Sequence, residues 1–207
     1  MTRRSPRRAA AGIAGPIAFI VAWSTLGLRR SGYSPIEQPI SHLAEVGATT
    51  RPAMTAGFVA FAAGVGVFSP LLRDGESRGA SRALAANAVA TLGIAAFPLG
   101  ASYGDNPHAA AAGLAYATLA ATPLLAARDL RRRGAHRAAV VSVATSVAIA
   151  VPLVASTVLD RRVGLAQRLG LTIGDVWIVL AAHRSLRDEI SQAGAVARPM
   201  RESARPR

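Results

Sequence analysis

The sequence predicts an all-α protein, a bundle of six transmembrane helices with both termini in the cytoplasm (N-in/C-in) and a long first outer loop. Three observations predict it. Of 207 residues, 51% are hydrophobic, and they cluster rather than spread. Stretches of about 20 residues carry no charge, the length a helix needs to cross the hydrocarbon core. The charges are gathered in short blocks between those stretches, whereas a soluble helix would show a polar face at every turn.

Six apolar runs follow in order: Ala9–Leu28, Pro52–Leu72, Ala83–Ser102, His108–Ala127, Ala138–Leu159 and Leu165–His183. Backbone groups in lipid must satisfy one another, so each run is expected to be a helix. The alternation of a membrane barrel strand is absent. Arg3, Arg4, Arg7 and Arg8 precede the first run as the basic start of a signal peptide would. That run is nevertheless long enough to span, and no small-x-small cleavage pattern follows it. It reads as an uncleaved first helix. With the N-terminus inside, the inner segments hold 18 Arg and the outer loops six, which sets the orientation by the positive-inside rule. Residues 1–8 are then a basic cytoplasmic N-terminus, 9–186 the six-helix domain, and 187–207 a polar cytoplasmic tail, a short helical extension followed by disorder. The expected location is the cytoplasmic membrane, crossed several times.

Small residues let membrane helices approach closely. Gly57, Gly64, Gly66, Gly93 and Gly113 are placed on packed faces. Pro16, Pro70, Pro98, Pro123 and Pro152 lie in or near spans, with kinks expected near Pro98 and Pro152. No internal repeat is visible.

Composition excludes several functions. The net charge of +13 suggests nucleic acid, but the basic residues flank apolar runs and no aromatics are interleaved with them. Nucleic acid is rejected as a partner and membrane lipid is expected instead. All 24 basic residues are Arg. Without Lys, no phosphate-binding Gly-x-x-x-x-Gly-Lys loop can form. Cysteine is absent, which removes disulfides, thiolate catalysis and cysteine metal sites. His42 and His108 are expected outside the membrane, and His136 and His183 at its inner edge. No histidine is then buried in the bilayer to ligate a haem or serve a membrane serine protease. A zinc site built from His42, His108 and Asp105 has plausible donors without diagnostic spacing. No cofactor is predicted.

The outer segments carry the remaining chemistry. The first loop reads RRSGYSPIEQPISHLAEVGATTR, from Arg29 to Arg51. Long loops in compact folds usually have a function of their own. Ser41 is placed as the N-cap of a short surface helix ending at Val46. The loop is either a lid bringing Ser41, His42 and Glu45 over the outer mouth, or a capped interfacial helix with solvated side chains. In the next outer segment, Asn106-Pro107 fits an N-cap with Pro in the first turn, and Asp105 complements the helix dipole. Asp105 and His108, one turn apart, also form a candidate acid/base or metal-ligand pair.

Helix 6 carries Arg168, Thr172 and Asp175 at i, i+4, i+7, hence on one face. Asp175 should lie about 10 Å below Arg168. An ionised Asp facing lipid there would cost about 2.5–3.5 kcal/mol or more, so the stripe should face inward. Tyr116, Thr145 and Ser146 are its candidate neighbours. Asn87 reads as an interhelical hydrogen bonder. The candidate pocket is therefore Ser41, His42, Asp105, His108 and Arg168 at the outer mouth, with Thr172 below and Asp175 at the floor.

These outer motifs resemble a bacterial and archaeal family of six-helix membrane proteins, the domain of unknown function 998 family. The resemblance lies in Tyr33-Ser34-Pro35 with Ser41-x-Leu43, in Phe97-Pro98 closing helix 3, in Asp105 and His108 around the start of helix 4, and in Gly164-x-x-x-Arg168 opening helix 6. It implies architecture, spans about Ala9 to Leu186, and carries no assigned reaction. Three acids common in the family are replaced here: His42 follows the loop Ser, Leu99-Gly100 follow Phe-Pro, and Gln167 precedes the helix-6 Arg.

Three functions stay open. The first is a non-enzymatic protein binding lipid or a partner, for which a lipid-sized groove at the outer leaflet is expected. The second is an enzyme acting on a lipid or lipid-linked substrate at the outer face, for which Asp105, His108 and Arg168 should converge. The third is a proton-coupled carrier that titrates Asp175.

Overall fold

The computed structural model describes the backbone over residues 6–74 and 77–202, and the side chains over the same residues except 73–74, 188–190 and 192–202. Arg3 and Arg4, and the end of the tail where disorder is expected, lie outside the described residues. Among the described residues there is no strand. Six α-helices run in order: α1 Pro6–Arg29, α2 Arg51–Asp74, α3 Arg78–Ala96, α4 Asn106–Arg132, α5 His136–Val158 and α6 Val163–Glu202. A 3-10 turn at Ile40–Ala44 lies between α1 and α2. Each helix packs on its chain neighbours, and α6 closes on α1, so the six form a ring. α6 also touches α2 and α4 across the ring.

The helices α1, α2, α4, α5 and the first part of α6 are long and apolar enough to cross a membrane. α3 is not among them. It has 19 residues, and Arg78, Ser81, Arg82 and Asn87 make its first half polar. The outward faces carry Val21, Val59, Val89, Val147, Val151 and Leu169, each at least 45% exposed. Exposed valine and leucine on every helix are what lipid rather than water would solvate. The chain is thus an integral membrane protein built as a helical bundle.

Helix 3 ends earlier than its apolar run. Ala96 is the last helical residue, and Phe97 (φ −114°, ψ 75°) leaves the helical region. The ring of Pro98 disfavours the α conformation in the residue before it, so Pro98 ends the helix instead of kinking it. Pro152 does lie inside α5. Gly113, expected on a packed face, has no atom within 4 Å of where a Cβ would stand. Gly64 shows the tight packing expected: a Cβ there would lie 2.6 Å from the Ala11 carbonyl oxygen and 2.7 Å from Gly15 Cα. α1 and α2 therefore touch backbone to backbone.

Three connections meet at one end of the ring. The α1–α2 loop accepts its neighbours through backbone bonds: Val46 N–H donates to Leu99 O at 2.9 Å, and Leu165 N–H to Ile36 O at 2.9 Å. The α1–α2 loop is thereby laid across the end of the bundle, over α4 and α6. This loop end carries the candidate site.

Candidate functional site

The loop is shaped locally first. Ser34 N–H donates to Gln38 Oε1 at 2.9 Å, and Gln38 N–H returns to Ser34 O at 2.8 Å, closing a tight turn around Pro35. Pro39 is extended (φ −57°, ψ 154°) and leads into the 3-10 turn. Ser41 is inside that turn, not its cap. Ile40, Leu43 and Ala44 are buried with it, so the turn points into the protein and is not a solvated surface helix.

What the buried turn delivers is Ser41. Its hydroxyl lies 2.9 Å from His108 Nε2, with both residues under 10% exposed. His108 Nδ1 lies 2.8 Å from the Phe97 carbonyl oxygen. A carbonyl only accepts, so Nδ1 carries hydrogen. In the neutral ring Nε2 then bears the lone pair and accepts the Ser41 hydroxyl. Phe97 O is available because α3 stops at Pro98, which frees a carbonyl that a continuing helix would have used. The expectation that no histidine is buried is corrected here. His108 is covered, although most of its neighbours at the start of α4 are exposed, because the α1–α2 loop folds over its face of the helix.

Arg168 forms a second, separate cluster. It is 7% exposed and lies between the rings of Trp23 and Tyr33, 5.3 and 5.6 Å from their centroids. Its guanidinium donates to Pro35 O at 2.5 Å, Gln38 O at 3.0 Å, Gly164 O at 3.0 Å and the Tyr33 hydroxyl. Burial pushes the Tyr33 phenol above its usual range, with the adjacent Arg168 offsetting part of that. Arg168 is thus a clamp that holds the loop on α6. Gln167 adds a bond: its Oε1 accepts from Ile40 N–H at 2.7 Å and its Nε2 donates to Tyr116. Gln167 was legible only as the site of a missing acid, yet it ties the turn to α4 and α6 together.

His42 and Glu45 form a third group at the rim. His42 Nδ1 lies 2.7 Å from Glu45 Oε2, and Arg30 donates to Glu45 Oε1 at 2.5 Å. Partial burial raises the Glu45 carboxyl, but hydrogen bonds from Arg30 and His42 outweigh it and hold its pKa below the ordinary 4.5. A carboxylate with a lowered folded pKa stabilises the fold above 4.5, and that contribution is lost as pH falls through the folded value. The protection factors of the amides in residues 40–46, which are corrected for the intrinsic exchange rate at each pH, are therefore expected to stay constant from neutral pH down to about 4.5 and to fall below it. Glu45→Gln should remove that acid-dependent step. A wild-type profile identical to that of the variant would contradict the assignment.

Asp105 is exposed and serves its own loop, its Oδ1 accepting from Gly100 N–H at 2.8 Å. It is the residue before α4, one earlier than the cap expected, and makes no side-chain cap bond. Asp105, His108 and Arg168 do not converge: each has its own partners. Among the described residues no group of three His, Cys, Asp or Glu could hold a metal.

Below Ser41 lies a small cavity of about 40 Å³. Ser41 is at one end of the lining, with Asn87, Tyr116, Gln167 and Asp175 contributing the polar groups and Phe19, Phe58 and Phe61 much of the apolar wall. Asp175 is 1% exposed, and neither carboxyl oxygen has a hydrogen-bond partner among the described residues. Thr172 is half-buried between Arg168 and Asp175. The helix-6 stripe does face inward, but the Arg168 terminal nitrogens donate to the loop and to Gly164 O, and its buried Nε has no partner among the described residues; no bond to Asp175 is made. Of the neighbours expected for Asp175, only Tyr116 shares its cavity. Ser146 donates to Ala120 O and Thr145 to Val141 O. Asn87 bridges α3 to α4, donating to Ala115 O at 2.7 Å, and its Oδ1 is left without a partner.

Comparison with known proteins gives one match. The family model described as a protein of unknown function (DUF998) covers residues 13–184. No curated protein and no solved structure matches the chain.

Proposed function

The chain belongs to the DUF998 family of proteins of unknown function, and we propose that it is a membrane-embedded serine enzyme acting on an acyl ester of a lipid or lipid-linked substrate. The observation that carries this reading is the Ser41–His108 hydrogen bond, with the far ring nitrogen fixed by Phe97 O. A hydroxyl is a weak nucleophile until a base within hydrogen-bonding reach takes its proton, and that base must be held in the right tautomer by a third group. All three parts are present. The Arg balance orients the loop end outward, with α3 as the sixth crossing and both termini inside. The pair then lies at the outer leaflet of the cytoplasmic membrane.

In the proposed reaction Ser41 Oγ attacks the acyl carbonyl while His108 Nε2 takes its proton. The Nδ1–H bond to Phe97 O steadies the imidazolium. His108 returns the proton to the departing alcohol, leaving an acyl-serine. Water, deprotonated by the same Nε2, then releases the acid and restores Ser41. The 31–47 loop covers the site, so substrate access requires it to lift.

A latch role for the same bond makes a different prediction. His108→Gln keeps groups able to hydrogen-bond the loop but cannot act as a base. With full-length protein in membranes and an alkyl fluorophosphonate probe, wild type should be labelled. Ser41→Ala should lose the label, and His108→Gln should slow labelling by about 100-fold or more. Ser69→Ala, a buried serine bonded only within α2, should label normally. Undiminished labelling in Ser41→Ala, or no labelling of folded wild type, would overturn the proposal.

A further inference from the structure

A large cleft lies at the opposite end from Ser41. It opens between α4, α5 and α6, reaches the α2–α3 connection, and has a volume of about 740 Å³. That is the size of a small-molecule or lipid-chain site. A lipid groove was expected at the loop end, where the cavity is only about 40 Å³. The cleft wall is apolar along Leu130, Val141, Val176 and Leu180. Its edge carries Arg133 and Arg184.

Among the described side chains the rim is strongly basic. Arg128, Arg131, Arg132, Arg137 and Arg187 stand on the same helix ends and are exposed. Among the described side chains, the acid placed there is Asp129, which accepts from Ser77 at 2.8 Å and Arg132 at 3.5 Å. Apolar wall and basic edge together match one kind of occupant, a lipid with acyl chains and an anionic headgroup. Basic pockets between membrane helices hold such headgroups by charge as well as by shape.

We propose that this cleft binds one anionic phospholipid, its chain along Val141 and Val176 and its phosphate at Arg184. The site is independent of the Ser41 reading and would stand if that reading failed. The test uses full-length protein in detergent, titrated with phosphatidylglycerol or phosphatidylcholine of identical chains and read by native mass spectrometry. Phosphatidylglycerol is expected to be retained as a single adduct about tenfold more strongly than phosphatidylcholine, the scale of one or two charges at a membrane surface. Arg184→Gln should remove most of that preference without removing lipid altogether. Ala138→Trp, which fills the cleft, should weaken both lipids. Arg51→Gln, at the other end, should change neither. Because Arg184 is exposed, its variant should fold even if Ala138→Trp does not. Equal retention of the two lipids by wild type, or an undiminished preference in Arg184→Gln, would overturn the site.

Discussion

Arg168→Ala is expected to free the 31–47 loop from the bundle. The guanidinium fills the space between Trp23 and Tyr33 and donates to three backbone carbonyls and a phenol. Truncation takes the guanidinium donor from the buried Pro35 carbonyl and one of two side-chain donors from Gln38 O, which keeps the Tyr33 hydroxyl, and each buried group left unpaired costs about 1–3 kcal/mol. Some carbonyls will find water as the loop lifts, so the net loss of loop docking is roughly 3–5 kcal/mol, the range for removing one partner of a buried charged cluster. Arg168→Lys should recover little, because one ammonium cannot reach a forked set of acceptors. Hydrogen exchange reads this directly. The amides of Gln38 and Ile40 should lose protection by two orders of magnitude or more, while the α2 and α5 cores stay protected. Protection of the loop equal to wild type would show that the backbone bonds to Leu99 and Ile36 suffice alone.

Gly64→Ala is expected to cost global stability through a single added carbon. The new Cβ would press on Ala11 O and Gly15 Cα, both backbone atoms that no rotamer change can move aside. α1 must shift away from α2, and overpacking of this kind costs about 1–3 kcal/mol. For a chain of this length that is roughly 2–12 °C in Tm. Gly113→Ala is the matched comparison: no atom lies within 4 Å of its Cβ position, and the residue is exposed. It should melt at or slightly above wild type, since alanine favours the helix. Thermal unfolding in one detergent, followed by loss of the monodisperse peak, checks both. A Gly64→Ala protein as stable as Gly113→Ala would refute the backbone contact.

Five of the six expected spans were legible in the sequence, because uncharged length is a one-dimensional signal. Where it misled, a single residue explains why. The apolar run of helix 3 continues to Ser102, but Pro98 forces Phe97 out of the helix. The inward face of helix 6 was legible too, since Arg168 and Asp175 cannot both be buried unless they share a side. Their partners were not. Pro35 O and Gln38 O lie more than 125 positions from Arg168 and are backbone atoms, which no side-chain pattern reveals. Ser41 and His108 are 67 positions apart, and each had an adequate local explanation as a cap or a helix-start residue. Their pairing depends on a loop folding back over the bundle. Asp105, one turn from His108 in sequence, makes its hydrogen bond to Gly100 N–H in its own loop, a backbone partner that no side-chain pattern reveals.

The ring closure of α6 on α1 bears on how the protein is made. A ribosome delivers the first helix long before the last, so α1 waits with one flank unoccupied while four helices are threaded after it. During that interval Pro35 and Gln38 have no guanidinium to receive them, and Ile40 has no Gln167. The loop can be seated on α6 only when that final helix arrives, so an unfinished polypeptide would offer insertion chaperones and membrane proteases an unmatched helix flank and a loop held by part of its bonds.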